Sequence, residues 1–228
     1  MRLRVVPRGV DRTYGWAMPQ QDGQPGLQRH WDARYAKLGQ RVSWFQSVPT
    51  MSLDLLHSRG ADATASLLDV GGGSAALVDA LVADGWQDLA VLDISPVALQ
   101  AARARLPRSP VDWIVADLLH WWPQRRYDWW HDRAVFHFLA AEQERQLYRE
   151  RLAAAVRPGG YAILATFAPD GPEACSGLPV CRYDPADLAV QAAPGFSLIE
   201  SRRQVHVTPS GGEQAFTWVV LRAPERRQ

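Results

Sequence analysis

The middle of the chain alternates between short apolar runs and segments with helical spacing. Apolar runs at 67–70, 88–93 and 111–117 predict three buried strands. After the first run, Leu77 with Leu81 and Val78 with Val82 recur at the spacing of a helix. Strands that alternate with helices indicate an α/β fold with a mainly parallel sheet.

The second half of the chain continues this pattern and then changes to a hairpin. We expect a fourth strand at 127–132, a helix at 142–156 and a fifth strand in R-P-G-G-Y-A-I-L-A-T-F. The segment 168–183 is rich in glycine and proline and too long for a simple connection, so we expect a functional loop before a helix capped by Asp184. Two long strands around P-S-G-G predict a terminal hairpin.

The N-terminal region differs from the rest in composition. Residues 1–28 are rich in Gly, Pro, Gln and Arg without a period, so we predict a mobile tail, with a targeting segment as the alternative. Residues 29–60 predict two helices joined by an aromatic turn. Residues 61–224 would then form the main domain.

Composition limits the partners of the protein. The chain has 228 residues, 47% of them hydrophobic, and a net charge of +1. This charge provides no electrostatic argument for nucleic acid or an anionic membrane, and no apolar run approaches the ~20 residues of a membrane helix. We therefore expect a cytoplasmic monomer or homodimer that binds neither nucleic acid nor membrane.

A glycine-rich turn follows the first predicted strand. Gly71, Gly72 and Gly73 allow the backbone to turn sharply and approach a ligand at the start of a helix. Both the dinucleotide pattern and the S-adenosylmethionine pattern D-x-G-x-G-x-G fit, the latter with Ala75 in place of its last glycine. The acid Asp69 favours the second, because a carboxylate suits an ammonium group and not a pyrophosphate.

Acidic residues also end the next two apolar runs. Asp93 lies twenty positions after Gly73, where a carboxylate can accept hydrogen bonds from ribose hydroxyls. Asp117 ends the third run and should lie beside it. Acids at three strand ends, with no basic residue among them, fit a cationic sulfonium cofactor better than a phosphorylated one.

From about His30 to Arg222 the chain resembles the class I S-adenosylmethionine-dependent methyltransferases. The resemblance implies a Rossmann-like α/β fold with seven strands in the order 3-2-1-4-5-7-6, strand 7 antiparallel, and helices on both faces. It also implies a cofactor site in which the glycine turn and its acid lie near the methionine part, the second strand end holds the ribose, and the third holds the adenine: Asp69, Gly71, Gly72, Gly73, Asp93, Ile94, Asp117 and Leu118.

The opening H-W-D-x-x-Y … S-W-F resembles that of a methyltransferase subgroup that acts on small molecules or on protein lysines. The resemblance implies that this segment closes over the cofactor and helps to form the acceptor pocket. Trp31, Tyr35, Trp44 and Phe45 are therefore lid candidates, and we assign Tyr35 and Trp44 to cofactor binding. Packing of these rings onto the core is the alternative.

The segment D-R-A-V-F-H after the fourth predicted strand resembles the D-K-G-T-x-D box of protein-lysine methyltransferases. It assigns Asp132, Arg133 and His137 to the catalytic side of the site. His137 is the candidate base because its ordinary pKa lies near cellular pH. Histidine replaces the acid that would hold a lysine ammonium, which argues against a lysine substrate.

The expected activity is methyl transfer from S-adenosylmethionine to a nitrogen, oxygen or sulfur nucleophile on a small, partly apolar molecule. The alternatives are a protein side-chain (lysine-type) methyltransferase, an NAD(P)-binding oxidoreductase, and a non-catalytic cofactor-binding module. Cys175 and Cys181 form neither a disulfide framework nor a metal site by number, and we expect no metal. Contact of Cys175 with a soft acceptor stays open.

Overall fold

A seven-stranded sheet forms the centre of the protein in the computed structural model, which describes residues 25–74 and 76–225. Strands β1 to β5 are parallel, and β7 pairs antiparallel with both β5 and β6. The order 3-2-1-4-5-7-6 confirms the prediction. The strands are β1 Ser66–Val70, β2 Asp88–Asp93, β3 Val111–Val115, β4 Tyr127–Arg133, β5 Val156–Phe167, β6 Ser197–Val207 and β7 Glu213–Arg222.

Helices cover both faces of the sheet, as predicted. Buried side chains of α5 and α6 pack on one face, and those of α2, α3 and α4 pack on the other. None of the helices in the described part of the chain is long and apolar enough to cross a membrane. The helices are α1 Pro25–Leu38, α2 Thr50–Ser58, α3 Leu77–Ala83, α4 Pro96–Arg105, α5 Glu142–Ala155 and α6 Pro185–Ala192, with 3₁₀ turns at Gly39–Arg41 and Phe136–Phe138.

Local capping explains where two of these helices begin. The Ser95 hydroxyl accepts a hydrogen bond from the amide of Ala98 (3.2 Å), with proline in the first turn of α4. The Asp184 carboxylate accepts one from the amide of Asp187 (2.9 Å) at α6. The cap at Asp184 therefore agrees with the sequence pattern.

The first helix begins earlier than the composition predicts. Helix α1 starts at Pro25, so the last four residues of the predicted tail are helical. Proline at the first position of a helix loses no hydrogen bond, which explains the start. Residues 1–24 and Ala75 lie outside the described residues. The Asp32 carboxylate accepts a hydrogen bond from the Ser95 hydroxyl (2.6 Å) and so links α1 to the start of α4.

The long segment after β5 forms a small ribbon. Residues Ala174–Cys175 and Leu178–Pro179 pair antiparallel. The Arg34 guanidinium donates to the carbonyl of Ser176 (2.6 Å) and thereby joins α1 to this ribbon. Helix α1 is thus held on one side by α4 and on the other by the ribbon.

Candidate active site

A cavity of about 320 Å³ lies between α1, the ribbon and the carboxyl ends of the central strands. A second cavity of about 30 Å³ shares Trp44, Gly71 and Arg133 with it, and Asp69 and Gly72 line only the smaller one. The structure thus brings most of the predicted site residues to one place. The predicted residues that line the larger cavity are Tyr35, Trp44, Gly71, Asp93, Ile94, Asp117, Leu118 and Arg133.

The glycine turn needs residues without side chains. Gly71 and Gly73 have φ of +64° and +48°, in the left-handed region. A Cβ atom on Gly71 would collide with the side chain of Val135, and one on Gly73 would collide with the hydroxyl of Tyr35. Gly73 lies beneath Tyr35 and lines neither cavity.

Asp93 is a buried carboxylate at the end of β2. Its Oδ1 atom accepts a hydrogen bond from the amide of Ser95 (2.8 Å). Burial raises the pKa of Asp93 to about 7, and the negative charges of Asp69 and Asp32 act in the same direction. The side chain therefore exists in two protonation states near neutral pH.

Asp117 follows β3 and also faces the larger cavity. Its Oδ1 atom accepts from the amide of Leu119 (3.0 Å), and Oδ2 lies 2.9 Å from Nδ1 of His120. These contacts orient the carboxylate, and each oxygen keeps a further lone pair for a ligand.

Aromatic rings from the opening segment form one wall of the cavity. Trp31 packs edge-to-face with Trp44 at 5.7 Å between ring centroids and with Phe138 at 5.3 Å. Tyr35 packs edge-to-face with Trp44 at 6.0 Å. Phe45 packs in the same cluster and is not part of the lining. The two tryptophans and Tyr35 therefore form one wall of the cavity; we call these three residues the lid, and their closure over a cofactor stays a prediction.

A buried polar chain that the sequence patterns did not predict lines the smaller cavity. Asp69 Oδ1 lies 2.7 Å from Nδ1 of His131, whose Nε2 lies 3.0 Å from the hydroxyl of Ser52. This connectivity is that of a Ser-His-Asp triad. Ser52 is 1% exposed and the adjoining cavity has room for about one water, so no acyl substrate reaches it. The contacts instead hold Asp69 in place.

Asp132 lies under the site and not in the cavity. It is fully buried and accepts hydrogen bonds from the amides of Val135 (2.9 Å) and Phe136 (3.2 Å) and from the hydroxyl of Tyr148 (2.7 Å). Burial raises the pKa of Asp132 to about 6. The carboxylate caps the turn after β4 and thereby positions Val135.

His137 is also absent from the lining of both cavities. Its ring packs at 4.5 Å from Phe138 and 4.9 Å from Phe167, and neither ring nitrogen has a hydrogen-bond partner among the described residues. Burial, with the charge of Arg133, lowers the pKa of His137 to about 3. The histidine is therefore neutral at cellular pH, and its role as a base stays a prediction.

Arg133 alone of the three predicted catalytic residues faces both cavities. Its Nη1 donates to the carbonyl of Trp44 (2.7 Å), which ties the end of β4 to the lid. Cys175 also lines the larger cavity, and burial raises the pKa of its thiol to about 11. Within the described part of the chain, no group of three or more His, Cys, Asp or Glu side chains could hold a metal ion.

Comparisons with known proteins agree with this architecture. Residues 67–160 match a family model described as a methyltransferase domain. The N-methyltransferase NodS from Bradyrhizobium japonicum, solved with S-adenosylhomocysteine, is 18% identical with a TM-score of 0.66, over 86% of this chain and 99% of that one. The 1,6-didemethyltoxoflavin N1-methyltransferase from Burkholderia thailandensis is 19% identical with a TM-score of 0.65, over 88% and 86%. No curated protein sequence matches the chain significantly.

The fold is that of the Rossmann-like methyltransferases, and residues 67–160 are similar to the methyltransferase domain family. S-adenosylmethionine is the cofactor of the matched domain family. The described residues fit this group, because side-chain-free backbone at Gly71 and two carboxylates, Asp93 and Asp117, line the same cavity. Ile94 and Leu118 supply apolar contacts in the same cavity.

Proposed function

We propose that this protein transfers a methyl group from S-adenosylmethionine to a nitrogen, oxygen or sulfur atom of a small, partly apolar molecule. The proposal rests on one observation. A single cavity joins the glycine turn, two acidic strand ends and a wall of aromatic side chains. The toxoflavin methyltransferase, which has this fold, was solved with the small molecule 1,6-didemethyltoxoflavin and S-adenosylhomocysteine bound, and this supports the same class of acceptor.

In this proposal each part of the cavity has a separate task. The carboxylate of Asp93 binds the ribose hydroxyls, Asp117 binds the adenine amino group, and Ile94 and Leu118 contact the ring. Asp69, held by His131, is positioned for the ammonium group. When bound, the cofactor supplies a methyl group on a positively charged sulfur.

The aromatic wall places the acceptor and excludes water. Methyl transfer is an in-line displacement, so alignment of the nucleophile and removal of water account for much of the catalysis. Trp31, Trp44 and Phe138 form the apolar side of the cavity, with Leu178 and Pro179 of the ribbon. An acceptor with apolar surface fits this wall.

Two measurements test the proposal. Isothermal titration calorimetry should show that the full chain binds S-adenosylhomocysteine and does not bind NADH. Cell extract incubated with the protein and S-adenosylmethionine labelled in its methyl group should carry label in the small-molecule fraction. Label confined to the protein fraction would point to a protein side chain, and binding of NADH alone would refute methyl transfer.

A further inference from the structure

The guanidinium of Arg133 has two buried donors that nothing in the described part of the chain binds. Nη1 donates to the Trp44 carbonyl, whereas Nε and Nη2 are buried without a hydrogen-bond partner among residues 25–74 and 76–225. No described carboxylate lies within ion-pair distance of it. A buried charged donor without a partner is costly, which indicates that a ligand supplies the missing acceptor.

The two free donors form one edge of the guanidinium. Nε–H and Nη2–H point in parallel, in the geometry that binds both oxygens of a carboxylate. The Trp44 carbonyl accepts a hydrogen bond from the opposite end of the guanidinium. The Cζ atom of Arg133 lies 4.8 Å from the centre of the Phe216 ring. The fork is therefore held in orientation before any ligand binds.

Burial lowers the pKa of Arg133 to about 10, so the guanidinium remains charged at neutral pH. Among the described residues, the lining of the two cavities contains no other arginine and no lysine. Acidic side chains, in contrast, occur at Asp69, Asp93, Asp117 and Glu144. Within this described lining, Arg133 is thus the one permanent positive charge available to an anion.

We propose that Arg133 binds a carboxylate of a ligand in the cavity through Nε and Nη2. This inference rests on the proposed function and deepens it. The carboxylate has two possible sources, the amino-acid part of S-adenosylmethionine or a carboxylate on the methyl acceptor. The position of Arg133 between the two cavities is compatible with both, and binding measurements separate them.

The first arm of the test uses the cofactor. S-adenosylhomocysteine and 5′-methylthioadenosine share the adenosine part, and only the first has the amino-acid carboxylate. Calorimetry compares the wild-type chain with Arg133→Met and Arg133→Lys, and with Arg203→Met as a control that removes an exposed arginine of the same charge. If the cofactor supplies the carboxylate, Arg133→Met lowers the affinity for S-adenosylhomocysteine at least tenfold and leaves the affinity for 5′-methylthioadenosine unchanged.

The second arm uses benzoate and phenylacetate as acceptor probes, with benzamide as the neutral analogue. Quenching of tryptophan fluorescence reports binding, because Trp31 and Trp44 line the cavity. It is measured with and without S-adenosylhomocysteine. If the acceptor supplies the carboxylate, wild-type protein binds the carboxylates at least tenfold more tightly than the amide. Arg133→Met removes this preference, and Arg133→Lys restores part of it.

The outcomes distinguish a failure of the Arg133 inference from a failure of the proposed methyltransferase function. The inference is overturned if Arg133→Met behaves like Arg203→Met in both arms. If neither variant at position 133 folds, the wild-type chain alone decides: equal binding of benzoate and benzamide, and of S-adenosylhomocysteine and 5′-methylthioadenosine, overturns the inference. Wild-type protein that binds neither S-adenosylhomocysteine nor 5′-methylthioadenosine refutes the proposed function instead, and the carboxylate probes still test Arg133.

Discussion

At the scale of single residues, protonation of Asp93 links cofactor binding to pH. Burial raises its pKa to about 7, whereas an exposed aspartate in the unfolded chain has a pKa of about 3.9. The folded state therefore holds the proton more tightly. The stability from this group is fully present below about pH 4 and is lost as the pH rises towards 7.

We predict that binding of S-adenosylhomocysteine releases a proton below pH 7, because ribose hydroxyls donate to the ionised carboxylate. Affinity should rise with pH up to about 7. Asp93→Asn should abolish this dependence and cost about 1.5–3 kcal/mol of binding free energy. Calorimetry in two buffers of different ionisation enthalpy measures the number of protons that are released on binding. A binding enthalpy that is the same in both buffers at pH 6 would contradict the prediction.

A second prediction concerns His137. Two unpaired ring nitrogens in an aromatic cluster are costly, so His137→Phe should raise the free energy of unfolding by up to about 1–3 kcal/mol. If the imidazole only packs, the methyl-transfer rate should change less than about twofold. Denaturation in urea and the labelled-methyl assay check both, with His137→Leu as a smaller replacement. A rate loss of about 10² or more would show that the imidazole acts as a base.

The sequence could identify the acids at strand ends and could not identify their partners. Asp93 and Asp117 follow recognisable apolar runs, so their position at one edge could be predicted. The contact between Asp69 and His131 depends on the register of β1 against β4, which places these residues side by side. Neither residue spacing nor composition predicts that register. Ser52 contacts the same histidine from a separate helix, α2, so this contact could not be predicted either.

At the scale of elements, the glycine turn and the lid depend on each other. Tyr35 of α1 lies over Gly73, and Val135 after β4 lies over Gly71. Helix α1 itself has little apolar periodicity before its aromatic residues, which is why its first turn resembled a tail in composition. The contact between Arg34 and the ribbon joins residues 142 positions apart and could not be read from either segment.

We predict that Gly71→Ala destabilises the protein more than Gly85→Ala does. Both glycines have positive φ, +64° and +86°, so each substitution incurs the left-handed strain of about 1–2 kcal/mol. A Cβ atom at position 85 meets open space, and one at position 71 collides with Val135. Urea denaturation should show the larger loss for Gly71→Ala, together with loss of S-adenosylhomocysteine binding. Equal losses of unfolding free energy in the two variants would show that the Val135 side chain moves aside at no cost.

At the scale of the whole molecule, the resemblance to the class I methyltransferases implied the order of the strands, and the apolar pattern predicted the strands themselves. Alternating apolar runs and helices define the parallel part, and the P-S-G-G hairpin defines the antiparallel end. The size of the cavity was not predictable, because it depends on how closely α1 and the ribbon approach the sheet. These approaches are set by a few long-range hydrogen bonds and by ring packing.

Two deletions test whether α1 belongs to the cofactor site. Removal of residues 2–24 should leave the melting temperature nearly unchanged, because that segment has no periodic apolar face. Removal of residues 2–38 also removes Trp31 and Tyr35 from the cavity. It should lower the affinity for S-adenosylhomocysteine by roughly tenfold or more, which is about 1.4 kcal/mol of binding free energy. Calorimetry and thermal unfolding measure both. Unchanged affinity in the longer deletion would exclude α1 from the site.

The two hydrogen bonds that hold α1 also bear on the timing of a catalytic cycle. A cavity of about 320 Å³ lies at the lower end of the volumes that hold one drug-sized ligand, roughly 300–1,000 Å³. We predict that binding of donor and acceptor together moves α1 or the ribbon outward and breaks the hydrogen bonds Asp32–Ser95 and Arg34–Ser176. If re-opening of these two contacts limits the release of product, turnover should fall as solvent viscosity increases.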